Sequence, residues 1–377
     1  MAPITFIHSS DLHLGRRFAN IPEPQDGNIR GRLMEARHGA ILRLAETARA
    51  HGAAHVLLAG DTFDTATPSA QVLKQALTAM AEDGGIKWWL LPGNHDNLRN
   101  AEPLWDRLTA EAPPNVHALT TATPVMLDDS ACLLPVPVTH RAPGRDLTDV
   151  LGAMPSPEGA LRIGLAHGGV TDFEDTGAHI PPDRADTARL DYLGLGDWHG
   201  RLAIGPRTHY PGTPEQDRFK HGRRGVCLVV SIDAPGALPR VDEVEIGHFL
   251  WTEQELSIQA GLNTPEALSA LLPARGRRDV LLRVQATGWA SLAQRAELER
   301  AAFAAAPEFA HFDLITERLG ALLDTVDLDA IDHAGALRQA AEDLKDEAED
   351  TTRSADDRGV AAEALARLYA YVTDPAS

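Results

Sequence analysis

Asp11-Leu12-His13, Gly60-Asp61-Thr62-Phe63-Asp64, Gly93-Asn94-His95-Asp96, His167-Gly168-Gly169 and Gly196-Asp197-Trp198-His199-Gly200 are polar clusters, and each follows a short apolar run. Aspartate, asparagine and histidine without a thiolate form the donor set of one or two hard-to-borderline divalent cations. In an extended Asp-x-His segment, positions i and i+2 project to the same side. Asp11 with His13, and Asp197 with His199, are therefore each expected to grip one ion together. A carboxylate such as Asp61 has two oxygens and can bridge two ions. A lone D-x-H or G-D-x-x-D is commonly a turn or a cap; the clusters together, in this order, read as one metal site.

Such a site needs strands that deliver their ends to one place. The first 230 residues alternate apolar runs (ITFIHSS, AAHVLLAGD, IKWWLLPGN, ACLLPVPV, LRIGLAHGG, YLGLGD, GVCLVVSID) with helical patterns, the signature of an α/β sandwich. The carboxyl ends of its strands are expected to converge on a shared crevice. A helix over 32–51 would bury Leu33, Ala36, Ala40, Leu44, Ala45 and Ala48 on one face. A second is expected over 69–82, announced by Thr67-Pro68-Ser69. Trp88 and Trp89 should pack in a strand, as should His8, while His209 and His221 are surface or core positions. After Asp233 the texture changes. VDEVEIGHF reads as a strand, GLNTPEALSALL as a capped helix, DVLLRVQATGW as a strand, 291–306 as a helix and 312–316 as a short strand. From Leu322 onward the chain is helical, acidic and alanine-rich, with a break around 351–357.

Composition narrows the function. The 377 residues hold 35 Lys+Arg against 54 Asp+Glu, a net charge of −19. At 44% apolar and 24% charged, disorder, collagen-like repeats and a small disulfide scaffold are excluded. With only Cys132 and Cys227, no signal-like start and no run of about 18 apolar residues, neither secretion nor a membrane span is expected, and the reading is cytoplasmic. The acidity argues against a generic nucleic-acid binder. Residues 16–49 and 201–224 are local exceptions, with seven arginines and six basic residues respectively. Their simplest reading is a solvated loop or helix face.

The set D-x-H, G-D-x-x-D, G-N-H-D, H-G and G-x-x-H resembles the calcineurin-like metallophosphoesterase superfamily over residues 4–200. Within it, SSDLHLG and GDTFDTATPS are most similar to SbcD-type DNA double-strand-break repair exonucleases. The resemblance implies an α/β metallophosphoesterase β-sandwich flanked by helices, with a small α+β capping domain and a helical C-terminal tail. The corresponding regions are 1–260 (nuclease), 261–320 (capping) and 321–377 (partner-binding).

It further implies that Asp11, His13 and His199 bind one metal, that Asp61 bridges, and that Asn94 and His167 bind the second. His95 would protonate the leaving oxygen, held by Asp64 or Asp96, with Asp64 the better partner by motif. Asp197 stands where the family usually has histidine; as an oxygen ligand it would move the preference toward Mn²⁺ or Mg²⁺. The expected cofactors are thus two divalent ions, with Mn²⁺ foremost, roughly 3.5 to 4 Å apart and activating a water for in-line attack.

Expected partners are DNA and an SMC-like ATPase, with a homodimer also open. Arg275, Arg277, Arg278 and Arg283 would meet phosphates. Leu337, Ala340, Ala341 and Leu344, with Ala364, Leu365, Leu368 and Tyr369, would face a coiled coil. The competing readings are a phosphatase or phosphodiesterase for small molecules or phosphoproteins, and a catalytically weakened scaffold.

Overall fold

The apolar runs become the strands of two six-stranded sheets packed face to face. A computed structural model describes residues 3–23, 27–170, 179–322, 328–329, 331–332 and 334–373. The first sheet holds β1 (Ile4–Ser9), β2 (His55–Leu58), β3 (Lys87–Leu90), β4 (Val116–Ala118), β11 (Val226–Ile232) and β12 (Arg240–Glu245). Their order is β12-β11-β1-β2-β3-β4, parallel from β1 to β4 and antiparallel beyond β1 on the other side. The second sheet holds β5 (Val125–Met126), β6 (Ala131–Val136), β7 (Leu161–His167), β8 (Tyr192–Gly196), β9 (Leu202–Ala203) and β10 (Thr208–Tyr210), ordered β5-β6-β7-β8-β10-β9. Its β6, β7, β8 and β10 run parallel.

Alternation along each strand sends one set of side chains between the sheets and the other outward. Phe6, Leu57, Trp89 and Val230 from the first sheet meet Leu133, Ile163, Leu165 and Tyr192 from the second in one buried cluster. The outward set, Ile7, Val56, Leu58 and Trp88, is covered by α1 (Ile29–Ala50), α2 (Ala70–Ala81) and α3 (Glu102–Glu111). On the second sheet, the short α4 (Arg184–Thr187) packs Ala185 into a cluster with Leu134, Ala166 and Leu193. The α1 residues Leu33, Ala36, Ala40, Leu44, Ala45 and Ala48 are all buried, as the helical spacing predicts. Ser69 caps α2, its side chain accepting from the Val72 N–H at 3.2 Å. His8 is a packed strand residue, its Nδ1 2.9 Å from the Tyr192 hydroxyl.

The two arginine-rich segments are not simply solvated faces. Arg37 is buried against Asp217, and Arg43 pairs at 2.8 Å with buried Glu215, so the two acids of the second segment partly neutralise arginines of the first.

The chain divides into two compact units, Met1–Leu250 and Trp251–Ser377. The second unit contains a three-stranded sheet in the order β13-β14-β15, made of β13 (Leu250–Ile258), β14 (Val280–Ser291) and β15 (His311–Leu322). With α5 (Thr264–Leu271) and α6 (Leu292–Ala305), β14 and β15 form the expected β-α-β unit, its strands parallel. β13 lies outside the sequence expectations, because LWTEQELSI carries four consecutive polar residues at its centre. The division falls after Leu250 rather than Ala260 because that strand belongs to the second unit's sheet.

Helices at Ala336–Glu349 and Ala355–Thr373 follow, with the break at 350–354. Ala341, Leu344, Leu365, Leu368 and Tyr369 pack with Leu292 and Ala296 of α6. The apolar stripes therefore close their own core, and the expectation that they wait for a coiled coil is corrected; Leu337 stays 46% exposed. Two of the expected phosphate-binding arginines are also engaged within the unit. Arg277 pairs with Glu308 at 2.6 Å, and Arg283 with Asp313 at 3.2 Å. No helix of the described residues is long and apolar enough to cross a membrane.

Candidate metal centre

Each polar cluster sits at the carboxyl end of a parallel strand: β1 leads to Asp11, β2 to Asp61, β3 to Asn94, β7 ends at His167 and β8 leads to Asp197. Past β1 and β2 the backbones keep pairing as the chain leaves the sheet. The N–H groups of Asp11, His13 and Leu14 donate to the carbonyls of Gly60, Asp61 and Thr62 at 3.1, 3.0 and 2.9 Å. The segment is not extended, however. Asp11, His13, Asp61 and Asp197 adopt φ of 55, 45, 52 and 102°, a region that costs roughly 1–3 kcal/mol for a side-chain-bearing residue. Strained backbone at four of the chemistry-bearing positions is a mark of a site over-determined by its surroundings. Gly93 shows how tight they are, since a Cβ there would lie 2.1 Å from Asp61 Oδ1.

The side chains converge in three overlapping groups, Asp11-His13-His199, Asp11-Asp61-His167 and His13-Asp64-His95. His13 Nε2 is 3.1 Å from His199 Nε2, 4.0 Å from Asp11 Oδ1 and 3.7 Å from Asp61 Oδ2. His167 Nε2 is 3.6 Å from the same Asp61 Oδ2 and 3.7 Å from Asp197 Oδ1. Asn94 completes this side, its Nδ2 donating to Asp197 Oδ1 at 3.1 Å.

Two expectations change. Asp197 and His199 do not act as a pair, because the left-handed turn at Asp197 sends its carboxylate toward His167 and leaves His199 beside His13. Asp61 turns a single oxygen, Oδ2, to both His13 and His167 rather than one oxygen to each, while its Oδ1 accepts the His95 N–H at 2.9 Å.

His95 adjoins the centre, its ring edge-on to that of His13 with centroids 4.8 Å apart. Its Nδ1 is 2.8 Å from the backbone carbonyl of Asp64, not the carboxylate. The Asp64 carboxylate lies 3.3 Å from Nδ1 of His13 instead. Asp96 accepts from the Gly93 and Phe63 N–H groups at 2.7 and 3.1 Å, bracing the loop and leaving no role beside the His95 ring.

The sequence reading does not single out Asp217, Arg37, Arg16 or Thr213. Asp217 is buried 3.1 Å from Nδ1 of His199, and the Thr213 hydroxyl donates to the Asp11 carbonyl at 2.8 Å. The PGTPEQD segment carrying two of them follows β10, and its one visible signal is a pair of acids inside a basic stretch.

The electrostatics suit a cation. Burial pushes the Asp61 carboxyl up to about 7, against the pull of His167 and with Asp11 and Asp197 adding to it. For His167 burial works the other way and is outweighed by Asp61, Asp11 and Asp197, which raise the imidazole to about 9. Burial drops His13 to about 4, so its ring is neutral and Nε2 can be a lone-pair donor. His167 Nδ1 is 2.8 Å from the Ala59 carbonyl, which makes Nδ1 the protonated atom and turns Nε2 inward as well. Both His167 Nε2 and Asn94 Oδ1 are buried with no hydrogen-bond partner among the described residues. Inward-facing imidazole nitrogens, orphaned polar atoms and crowded carboxylates fit divalent cations with nitrogen and oxygen ligands.

This fold and site define a class. The calcineurin-like phosphoesterase family model matches residues 4–231, and the chain belongs to that family of metal-dependent phosphoester hydrolases. The chain is 27% identical over 244 residues to the uncharacterized metallophosphoesterase YhaO of Bacillus subtilis, a match covering 61% of this chain and 58% of the relative. It is 34% identical over 95 residues to the SbcD component of nuclease SbcCD from Escherichia coli, covering 24% of this chain and 21% of that protein. The match thus spans a little over half of the first relative and a fifth of the second. Among solved structures, the crystal structure of TT1561 of Thermus thermophilus aligns with 64% of this chain and 99% of its own, at 10% identity and a TM-score of 0.40.

Proposed function

We propose that the chain is a DNA-directed phosphodiesterase, a nuclease subunit that uses two divalent ions, Mn²⁺ foremost, and works with an SMC-like ATPase. The observation that carries the metal reading is the convergence of the Nε2 atoms of His13 and His167 on Asp61 Oδ2, with His199 Nε2 beside that of His13. Asp11, His13 and His199 would hold one ion, and Asn94, His167 and Asp197 the other, with Asp61 between. Bound there, divalent ions neutralise phosphodiester charge and lower the pKa of a coordinated water.

The chain's own residues supply the rest. His95 is fixed through Nδ1 to the Asp64 carbonyl, which leaves Nε2 as the atom that passes a proton to the departing sugar oxygen. Asp64 and Asp96 hold the loops that present His95. DNA as substrate is supported by the similarity to the SbcD component of nuclease SbcCD. The second unit is proposed as a substrate-capping region with an ATPase-facing tail, although the tail's buried stripes do not serve that contact.

Digestion of end-labelled linear DNA, beside a generic phosphodiester and a phosphomonoester, with Mn²⁺ and with chelator, separates the readings. The proposal expects Mn²⁺-dependent shortening of DNA that chelator abolishes. Cleavage confined to the phosphomonoester would make the chain a phosphatase. Metal binding without cleavage of any substrate would make it a scaffold.

A further inference from the structure

Outside the proposed ligands, two carboxylates stand behind two of the inward-facing histidines. Asp217 Oδ1 lies 3.1 Å from His199 Nδ1, and Asp64 Oδ1 lies 3.3 Å from His13 Nδ1. A carboxylate can only accept, so in the Asp217 hydrogen bond the His199 Nδ1–H is the donor and Nε2 is left with its lone pair. The Asp64 contact is the looser, in the ion-pair range without the direction of a good hydrogen bond; the Asp217 contact meets that standard.

Arg16 joins the two carboxylates, its Nη1 3.5 Å from Asp64 Oδ1 and 3.3 Å from Asp217 Oδ2. Buried Arg37 reaches Asp217 Oδ2 at 3.5 Å and donates to the Leu12 carbonyl at 2.7 Å, tying the assembly to the loop between Asp11 and His13. Arg218 Nη2 also lies 3.2 Å from His199 Nδ1. A guanidinium cannot accept the Nδ1 proton, and Arg218 directs its Nε–H to Asp217 Oδ1 at 3.0 Å. The one acceptor available to His199 Nδ1–H in this set is therefore Asp217. An unpaired carboxylate at this depth would be costly; the flanking guanidiniums offset its burial and fix its position.

We propose that Asp217, linked through Arg16 to Asp64, is a positioning residue of the metal centre. It locks His199 in the Nδ1–H tautomer and in the orientation that turns Nε2 toward Asp11 and His13. The inference rests on the reading of these residues as a metal centre. Carboxylates in this position behind ligand histidines are commonly worth about 10–100-fold in metal affinity, through ring orientation and added basicity.

Two readouts on the full-length chain test it: equilibrium Mn²⁺ binding, and the histidine ring ¹⁵N spectrum of the metal-free protein, which reports tautomer. Asp217→Ala is expected to weaken Mn²⁺ binding about 10–100-fold and to move His199 from one tautomer to a mixture. Asp217→Asn should recover part of both, because its carbonyl oxygen still accepts the Nδ1–H. Arg16→Gln should give a smaller loss in the same direction. Unchanged Mn²⁺ affinity and an unchanged His199 tautomer in Asp217→Ala overturn the proposal. Should that variant fail to fold, the same unchanged pair of readouts in Asp217→Asn and Arg16→Gln overturns it. Wild-type protein that binds no Mn²⁺ overturns the metal-centre reading together with the proposal, whereas normal wild-type binding and unaffected variants overturn the proposal alone.

Discussion

His95 shares a group with His13 and Asp64 but stands outside the two that contain Asp11, and its Nδ1 is held by the Asp64 carbonyl; the proposed role as proton donor therefore predicts a clean separation of functions. His95→Ala should keep Mn²⁺ stoichiometry while cleavage falls about 10²- to 10⁴-fold, the usual range for general acid catalysis. Mn²⁺ titration beside single-turnover cleavage measures both, and loss of an ion would make His95 a ligand. Asp197 calls for the opposite result. Its carboxylate stands 3.7 Å from His167 Nε2, so Asp197→Ala should leave about one ion per chain and sharply reduced cleavage. Asp197→His should restore the second ion with a preference moved toward metals that favour nitrogen. Two ions and full activity in Asp197→Ala would show that the carboxylate serves another purpose.

At this scale the residue types are legible in the sequence and the geometry is not. Donor chemistry and order along the chain bring out Asp11, Asp61 and His167, whereas the alternation argument assumes extended backbone. At Asp11, His13 and Asp197 the chain is left-handed, and the shared grip of Asp197 and His199 disappears. Asp217 and Arg37 are far apart in the chain and acquire meaning only when folding brings them together.

Among the elements, the runs that bury both faces or alternate cleanly are readable, and so are the caps. Ser69 and Asn263 hold the N-termini of α2 and α5 as their sequence context indicates. β13 escapes because only Trp251, Leu256 and Ile258 of its residues are buried, too few for a visible period of two. The terminal helices are recognisable, but periodicity does not say which surface a stripe meets. Leu365 decides the matter, being fully buried in the cluster with Leu292 and Ala296. Leu365→Ala should destabilise the second unit by about 2–5 kcal/mol. The expected result is a lower unfolding midpoint in urea with Mn²⁺ binding intact. An unchanged midpoint, with loss of an ATPase partner in co-purification, would return the stripe to the role of a docking face.

Over the whole molecule, the acidic balance and the metal chemistry are two sides of one arrangement. A chain of net charge −19 is poorly suited to holding DNA by phosphate neutralisation alone, so the proposed nuclease activity would draw its DNA contact from the centre itself and from the proposed partner. The parallel strands of both sheets bring their carboxyl ends to that centre, while α1, α2 and α3 fix the first sheet from its outer face. If Asp61 stands between two cations, as proposed, equilibrium Mn²⁺ binding to wild type and to Asp61→Asn will reveal it. Two ions per wild-type chain, with most of that binding lost in Asp61→Asn, is the predicted result. A wild-type chain that binds no more than one ion, or an Asp61→Asn chain that still binds two at wild-type affinity, would contradict it.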